Sequence, residues 1–164
     1  MSHRLASELK RRQYSVDYVP EFAKECVWEQ WSQIFGEQDF FLAMQNRRLR
    51  RLVENDVQYA VQDTSLLHSL FFLPDDFPQS IRQPIVDIFD SYDNIIFVLE
   101  RNPAIPYENQ GRNETENEAK IKDHQMRAYL NIHYGHCTHY IKYWENGLET
   151  MLDIVANHQK PSIK

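Results

Sequence analysis

Apolar side chains return every three or four positions along most of this sequence, which is the spacing of amphipathic helices. Pro20 suits a first helical position, and the apolar stripe that follows it ends at Gly36. The next stripe predicts a helix from about Asp39 to Gln62, followed by a short apolar piece from Leu66 to Leu73. The buried face predicted for the helix from Asp39 to Gln62 contains Leu42, Leu49, Leu52, Val53, Val57 and Ala60.

The second half of the chain predicts three further helices. The clearest apolar stripe runs from Ile81 to Leu99 and indicates a long central helix. Thr115 and Glu118 have the spacing of a capping box, so we expect a helix to begin there and to include His133. A last helix carries an apolar face from Cys137 to Val155. No stretch alternates apolar and polar residues over a sustained length, as a half-buried strand would.

The pattern therefore predicts an all-α fold, a single-domain helical bundle of about five to six helices. Residues 1–19 are expected to form an N-terminal arm or short helix, residues 20–158 the helical domain, and residues 159–164 a flexible tail. With 164 residues, of which 42% are hydrophobic, the chain is long enough to bury one continuous core.

The net charge of −6 disfavours contact with nucleic acid or acidic membranes unless a local basic patch provides it. No apolar run approaches the length of a membrane span, so we expect no membrane partner. The first residues, MSHRLASELKRRQ, are charged where a signal peptide would be apolar. We therefore expect a cytoplasmic protein in which Cys26 and Cys137 are reduced.

One local basic patch lies on the helix predicted from Asp39 to Gln62. The stretch NRRLRRL, residues 46–52, places four guanidinium groups on the outer half of that helix: Arg47, Arg48, Arg50 and Arg51. Such a patch could bind phosphate, RNA or an acidic partner protein. The alternative is a solvated face in which Arg50 pairs with Glu54, four residues further on.

The stretch RAYLNIHYGHCTHYIKYW, residues 127–144, contains three histidines at three-residue spacing: His133, His136 and His139. On a continuous helix, a step of about 100° per residue turns these imidazoles to different sides, so one ion cannot bind all three. We expect no metal and no other cofactor; the adjacent pair His133 and His136 could bind a metal only with ligands from elsewhere. The alternative interpretation has His133 buried at the edge of the core, with His136 and His139 solvated or at an interface.

Arg127 and His133, with five residues between them, resemble the R-x4-6-H signature of the HEPN superfamily of helical, dimeric ribonucleases. The resemblance implies a metal-independent endoribonuclease, in a toxin or phage-defence role. Arg127 and His133 would then be the catalytic residues acting on the scissile phosphate of RNA. The alternative is an arginine that pairs with Asp123, four residues back on its own helix.

A second resemblance covers about residues 40–155. The stretch SIRQPIVDIFDSYDNI, from Ser80 to Ile95, resembles the long apolar helix of the YfbU-like family. The loop IPYENQGRNETE, residues 105–116, and the stretch YWENGLETMLDIV, residues 143–155, are similar to that family as well. This resemblance implies a helical intracellular protein and names no reaction.

The tryptophans at the end of the first long predicted helix suggest a partner surface. Trp28 and Trp31, with Phe40 and Phe41 beyond them, exceed the aromatic content that one helical stripe needs, which is typical of a subunit interface. The leading hypothesis is a cytoplasmic interaction or regulatory module that binds a protein partner and acts as a homodimer. The HEPN-type endoribonuclease is the alternative, and a metal-dependent enzyme built on the histidines is the third.

Overall fold

Helices alternate with four short strands in the part of the chain that the structure describes. The computed structural model describes residues 1–107 and 115–158, so the predicted tail at 159–164 and residues 108–114 of the loop at 105–116 lie outside the described residues. The helices are α1 (Ser2–Arg11), α2 (Phe22–Trp28), α3 (Gln38–Val53), α4 (Ser69–Phe72), α5 (Arg82–Asp90), α6 (Glu116–His133) and α7 (Gly147–Asn157). The strands are β1 (Val16–Val19), β2 (Tyr59–Gln62), β3 (Ile96–Leu99) and β4 (Thr138–Ile141). Short 3-10 helices cover Ser32–Gly36, Leu66–His68 and Gln79–Ile81.

The strands pair in parallel, two by two. β1 pairs with β2, with Val16 opposite Tyr59, and β3 pairs with β4, with Ile96 opposite Thr138. Each pair is joined by a helical crossover, since α2 and α3 lie between β1 and β2 in the chain and α6 lies between β3 and β4. Parallel pairing requires such crossovers because the chain must return to the same end of the sheet before the second strand begins.

Hydrophobic clusters cover both faces of the strands. The larger cluster packs the helices α3 to α6 against the strands, and its buried members are Val19, Leu42, Leu49, Leu52, Leu66, Leu67, Leu70, Ile85, Phe89, Leu130 and Tyr134. On the other face, α1 and α7 supply Leu5, Leu9, Met151, Leu152 and Val155 to a cluster that includes Val16 and Ile141. A third, smaller cluster joins α2 to α3 through Phe22, Cys26, Ile34 and Phe41.

The predicted all-α bundle is therefore wrong, because the chain folds into a mixed α/β structure. The helix predicted from Asp39 to Gln62 ends at Val53 and is followed by β2. Asp56 adopts a left-handed backbone, with φ of 55°, and the amide of Val57 donates to the carbonyl of Leu52 at 3.1 Å. This C-terminal motif usually contains glycine at the left-handed position, so its sequence signal is absent here.

The other two predicted long helices also divide into a helix and a strand. The long helix predicted from Ile81 to Leu99 stops at Asp90. Just beyond this end, the Asn94 side-chain amide donates to the carbonyl of Phe89 at 2.7 Å. The following apolar run forms β3, and an uninterrupted apolar run of this length is typical of a strand covered on both faces. The face predicted from Cys137 to Val155 is divided between β4 and α7.

The prediction of a helix beginning at the capping box is confirmed. The hydroxyl of Thr115 accepts from the Glu118 amide, and the Glu118 carboxylate accepts from the Thr115 amide at 2.8 Å. The helix α6 that follows includes His133 as its last residue. Residues 1–19 contain α1 and β1, so the first strand belongs to the segment predicted as an arm or short helix.

Gly147, at the start of α7, is expected to tolerate no side chain. A Cβ atom there would lie 2.9 Å from Cγ2 of Ile141 and 3.0 Å from the carbonyl oxygen of Lys142. We expect Gly147→Ala to lower the free energy of unfolding by about 1–3 kcal/mol, as overpacking does. Gly36→Ala is the matched control, because nothing lies within 4 Å of its Cβ position. Urea unfolding of both variants checks this, and equal stability of the two would contradict it.

Candidate ligand-binding site

One cleft is lined by residues that follow the ends of β1, β2 and β3. It has a volume of about 980 Å³ and is lined by Glu21 beyond β1, Thr64 and Ser65 beyond β2, and Arg101 beyond β3. In α/β folds with parallel strands, ligands bind in the crevice outside the carboxyl ends of the strands. This cleft, which we call the strand-end cleft, is therefore the candidate ligand-binding site.

Aromatic and aliphatic side chains form most of the walls of the strand-end cleft. They come from α2, α3, α4, α6 and the adjoining 3-10 helices, and include Phe22, Trp28, Phe35, Phe41, Leu42, Phe71, Phe72 and Met126. Trp28 is 64% exposed, so a large aromatic surface at the cleft is open to a ligand. Apolar walls with a few placed polar groups are typical of small-molecule sites.

All three buried polar residues of the described part of the chain line this one cleft. They are Gln38 and Gln45 of α3 and Ser69 of α4. The Gln38 side-chain amide donates to the carbonyl of Phe35 at 3.0 Å, and that of Gln45 donates to Gln62 of β2 at 3.4 Å. Within the described residues, neither glutamine side-chain oxygen accepts a hydrogen bond, so both can accept one from a ligand.

Three cations and three carboxylates line the strand-end cleft: Lys24, Arg101, Lys122, Glu21, Glu118 and Asp123. Two of the carboxylates are engaged by the protein itself. Asp123 accepts from Arg127 at 3.1 Å, and hydrogen bonds from Thr115 lower the pKa of Glu118. The ammonium of Lys122 lies 3.7 Å from the centre of the Phe72 ring. The cations and carboxylates that line the cleft are therefore equal in number, and Asp123 is the carboxylate that an arginine outside the lining, Arg127, pairs with.

Asp63, the first residue after β2, is held by its neighbours rather than by the cleft. The hydroxyl of Tyr18 donates to its carboxylate at 3.3 Å, and the hydroxyl of Ser2 donates to its other oxygen. Burial of Tyr18, together with the charge of Asp63, raises the pKa of this tyrosine to about 12. Tyr18 is therefore a protonated donor at neutral pH and keeps Asp63 engaged.

The four arginines predicted to form one outer patch are divided by the structure. Arg47, Arg50 and Arg51 are exposed on α3, and the expected pair of Arg50 with Glu54 is present at 3.8 Å. Arg48 turns toward α2 instead, where its guanidinium contacts the carboxylate of Glu25 at 2.6 and 3.0 Å. Only three of the four guanidinium groups are therefore available to a partner on that face.

Arg127 and His133 make separate contacts on α6. The Arg127 guanidinium bonds to Asp123, as the alternative interpretation expected, and lies 5.1 Å from the centre of the Tyr140 ring. The ring of His133 lies 4.4 Å from that of Tyr129 and is exposed, so the interpretation that His133 is buried is wrong. The helix ends at His133, which places this residue at a helix terminus rather than on a continuous buried stripe.

The remaining histidines of this segment lie beyond the end of α6. His136 is exposed in the turn, whereas His139 lies on β4 with its ring 6.0 Å from that of Phe97. His139 is therefore partly buried and does not face outward as expected. Within residues 1–107 and 115–158, no group of three or more His, Cys, Asp or Glu side chains could hold a metal ion.

The sequence analysis did not predict the polar residues that follow the strands, because it predicted helices in place of those strands. Glu21, Ser65 and Arg101 each come two or three residues after a strand of apolar and β-branched residues. Polar residues that directly follow such runs were the available signal.

Comparison with family models, with curated proteins and with solved structures gives no match for this chain. The HEPN and YfbU-like resemblances stay hypotheses, and the helical fold that both imply is not the fold described above. Among the helices described, none has the length and apolar character needed to cross a bilayer.

Proposed function

We propose that this chain binds an organic phosphate that carries an aromatic ring, the chemical class that includes nucleotides. The observation that carries the proposal is the gathering of Gln38, Gln45 and Ser69 in one aromatic-walled cleft at the strand ends. Burial of a polar group costs free energy unless the group is hydrogen-bonded. The position of these three residues in one open cleft therefore supports a ligand that forms hydrogen bonds there.

Each part of such a ligand has a complementary surface in the strand-end cleft. The exposed indole of Trp28 offers a face for an aromatic group, and the partly exposed rings of Phe35 and Phe72 line the same cleft. The side-chain oxygens of Gln38 and Gln45 can accept hydrogen bonds from amino groups on that ring. Arg101 can donate two hydrogen bonds to the oxygens of one phosphate, and Lys24 adds positive charge.

Fluorescence titration tests the proposal, because Trp28 lines the cleft whereas Trp31 and Trp144 do not. In a Trp31→Phe, Trp144→Phe background, we expect saturable quenching by at least one purine or pyrimidine mononucleotide. The matching nucleoside and inorganic phosphate alone should each bind at least about tenfold more weakly, because each lacks one half of the contacts.

Arg101→Ala is expected to weaken nucleotide binding about tenfold, the effect of losing a charge-assisted hydrogen bond. Arg47→Ala is the matched control, since Arg47 is exposed on α3 and does not line the cleft. Absence of saturable quenching by every mononucleotide tested would overturn the proposal, and so would equal losses in the two variants.

A second candidate function is binding of a protein partner or a second copy of this chain. Trp28 and Trp31 are 64% and 44% exposed, and large exposed aromatic side chains are enriched at protein interfaces. Sedimentation equilibrium of the wild type against Trp31→Ser tests this function. We expect association that the substitution weakens, and a monomer at all concentrations would argue against the homodimer.

The HEPN-type endoribonuclease and a cytoplasmic location are further proposals. Arg127 is already engaged by Asp123 and Tyr140, which leaves less of its guanidinium for a phosphate. An RNA-cleavage assay that compares wild type with His133→Ala tests the nuclease, and an inactive wild type would remove it.

A further inference from the structure

Helix α3 presents two glutamines to the strand-end cleft, one at each end of the same buried face. Gln38, Phe41, Leu42 and Gln45 fall at positions i, i+3, i+4 and i+7 of the helix, so they lie on one side of it. All four side chains are buried and line the cleft. Steps of about 1.5 Å per residue separate the two glutamines by about 10 Å along the helix axis. A ligand in the cleft therefore meets two side-chain amides with apolar side chains between them.

Backbone carbonyl groups fix the orientation of both amides. The side-chain nitrogen of Gln38 donates to the carbonyl of Phe35 at 3.0 Å, and that of Gln45 donates to the carbonyl of Pro20 at 3.5 Å. A backbone carbonyl can only accept, so an amide turned over would set its own oxygen against another oxygen. The nitrogen of each amide is therefore directed at the protein, and the oxygen lies on the other branch of the amide.

The side-chain nitrogen of Gln45 has a protein acceptor for each of its two protons. One acceptor is the carbonyl of Pro20, and the other is the side-chain oxygen of Gln62 on β2, at 3.4 Å. The nitrogen of Gln38, by contrast, donates to the carbonyl of Phe35 alone and keeps a second proton. Gln38 can therefore donate or accept, whereas Gln45 offers a ligand only an acceptor.

The acceptor of Gln45 is within reach of a ligand. Its side-chain oxygen accepts no hydrogen bond within the described residues, yet this atom is not sealed from solvent. Gln45 is only 7% exposed and lines the strand-end cleft, so a ligand in the cleft meets the accessible part of its side chain. The apolar walls strengthen a hydrogen bond to this oxygen and raise the cost of leaving it unmade.

We propose that Gln45 selects a ligand whose aromatic ring carries an exocyclic amino group, as adenine and cytosine do, against the same ring with an oxo group. The inference rests on the proposed function, because it concerns the ring of the organic phosphate. An amino group donates a hydrogen bond to the side-chain oxygen of Gln45. An oxo group, as in hypoxanthine or uracil, sets a second acceptor against that oxygen, and no proton lies between the two. Gln45 is thus the specificity-determining residue of the cleft.

Two matched pairs of nucleotides test the selection in the wild-type cleft. Adenosine monophosphate is compared with inosine monophosphate, and cytidine monophosphate with uridine monophosphate, by the same fluorescence titration of Trp28. Within each pair the ring changes only by an amino group in place of an oxo group, so stacking and phosphate contacts stay the same. We expect the amino nucleotide of at least one pair to bind about tenfold more tightly or better, because a buried acceptor without a donor is costly.

Gln45→Met supplies the protein variant, because methionine has a similar length and no strong acceptor. We expect it to weaken binding of the amino nucleotide and to bring the ratio within the pair close to one. Gln125→Met is the matched control, since Gln125 is exposed on α6 and does not line the cleft. It should keep the wild-type ratio, and far-UV circular dichroism reports the fold of both variants.

The outcomes separate this inference from the proposed function. Equal affinities within both pairs would overturn the selection and leave nucleotide binding in place. A preference for the amino nucleotide that persists in a folded Gln45→Met would overturn it as well, because another residue would then recognise the ring. Absence of binding by all four nucleotides would overturn both proposals. The wild-type comparison needs no variant, so it decides the matter even if Gln45→Met does not fold.

Discussion

Ile85→Ala should lower the free energy of unfolding by about 2–5 kcal/mol, among the largest losses expected of any single substitution in this chain. Ile85 is completely buried in the larger cluster, with Phe89 on its own helix and Leu67 on the adjoining 3-10 helix. Truncation removes apolar contacts and leaves a cavity, because surrounding helices relax only in part. Urea-induced unfolding, followed by circular dichroism, measures the loss.

Two further variants make the Ile85 experiment specific to burial. Ile85→Val removes one methylene group and should cost about 0.5–1.5 kcal/mol. Ile132→Ala makes the same chemical change on α6 at a position that is 76% exposed, and should stay within about 0.5 kcal/mol of wild type. A loss in Ile132→Ala that equals the loss in Ile85→Ala would contradict the packing described.

Arg48→Ala should lower the free energy of unfolding by about 1.5–3 kcal/mol, the range for hydrogen bonds to charged groups. Its guanidinium makes two bonds to Glu25 and a third to the carbonyl of Pro20 at 3.1 Å, and lies 5.0 Å from the centre of the Phe22 ring. The Arg48 side chain is 16% exposed and that of Glu25 44%, so solvent screens the pair only in part. Thermal and urea unfolding measure the loss.

Arg47→Ala is the control for Arg48, because it removes the same side chain from the neighbouring, exposed position of α3. We expect it to change stability by no more than about 0.5 kcal/mol. Arg48→Lys should recover only part of the stability, since an ammonium group cannot reproduce the two-point contact with Glu25. If Arg47→Ala and Arg48→Ala were equally stable, the division of the arginine patch would be wrong.

The arginine patch shows how far helical spacing alone could reach. Helical spacing correctly predicted that Leu49 and Leu52 face inward and that Arg50 pairs with Glu54. Both features depend only on positions within one helix. It could not separate Arg48 from its neighbours, because the acidic partner of Arg48 comes from a different helix. Which face of α3 meets α2 is decided by packing between them.

Helical spacing could not predict the strand-end cleft either, because the residues that line it come from different elements. Gln38 and Gln45 lie on α3, Ser69 on α4 and Arg101 beyond β3, so no local pattern joins them. They meet because α3 packs against α4 beside the residues that follow β1, β2 and β3. The cleft could be inferred only once β1, β2 and β3 were known.

The sequence by itself determined the features of this protein that depend only on a few consecutive residues. The capping box at Thr115 and the inward faces of Leu42 and Ile85 are such features, because capping and helical spacing are local. Tertiary structure alone decided that the segments after Asp56 and Asn94 become strands. Each of those strands has its hydrogen-bond partners in a distant part of the chain, and a parallel partner is reached only through a crossover.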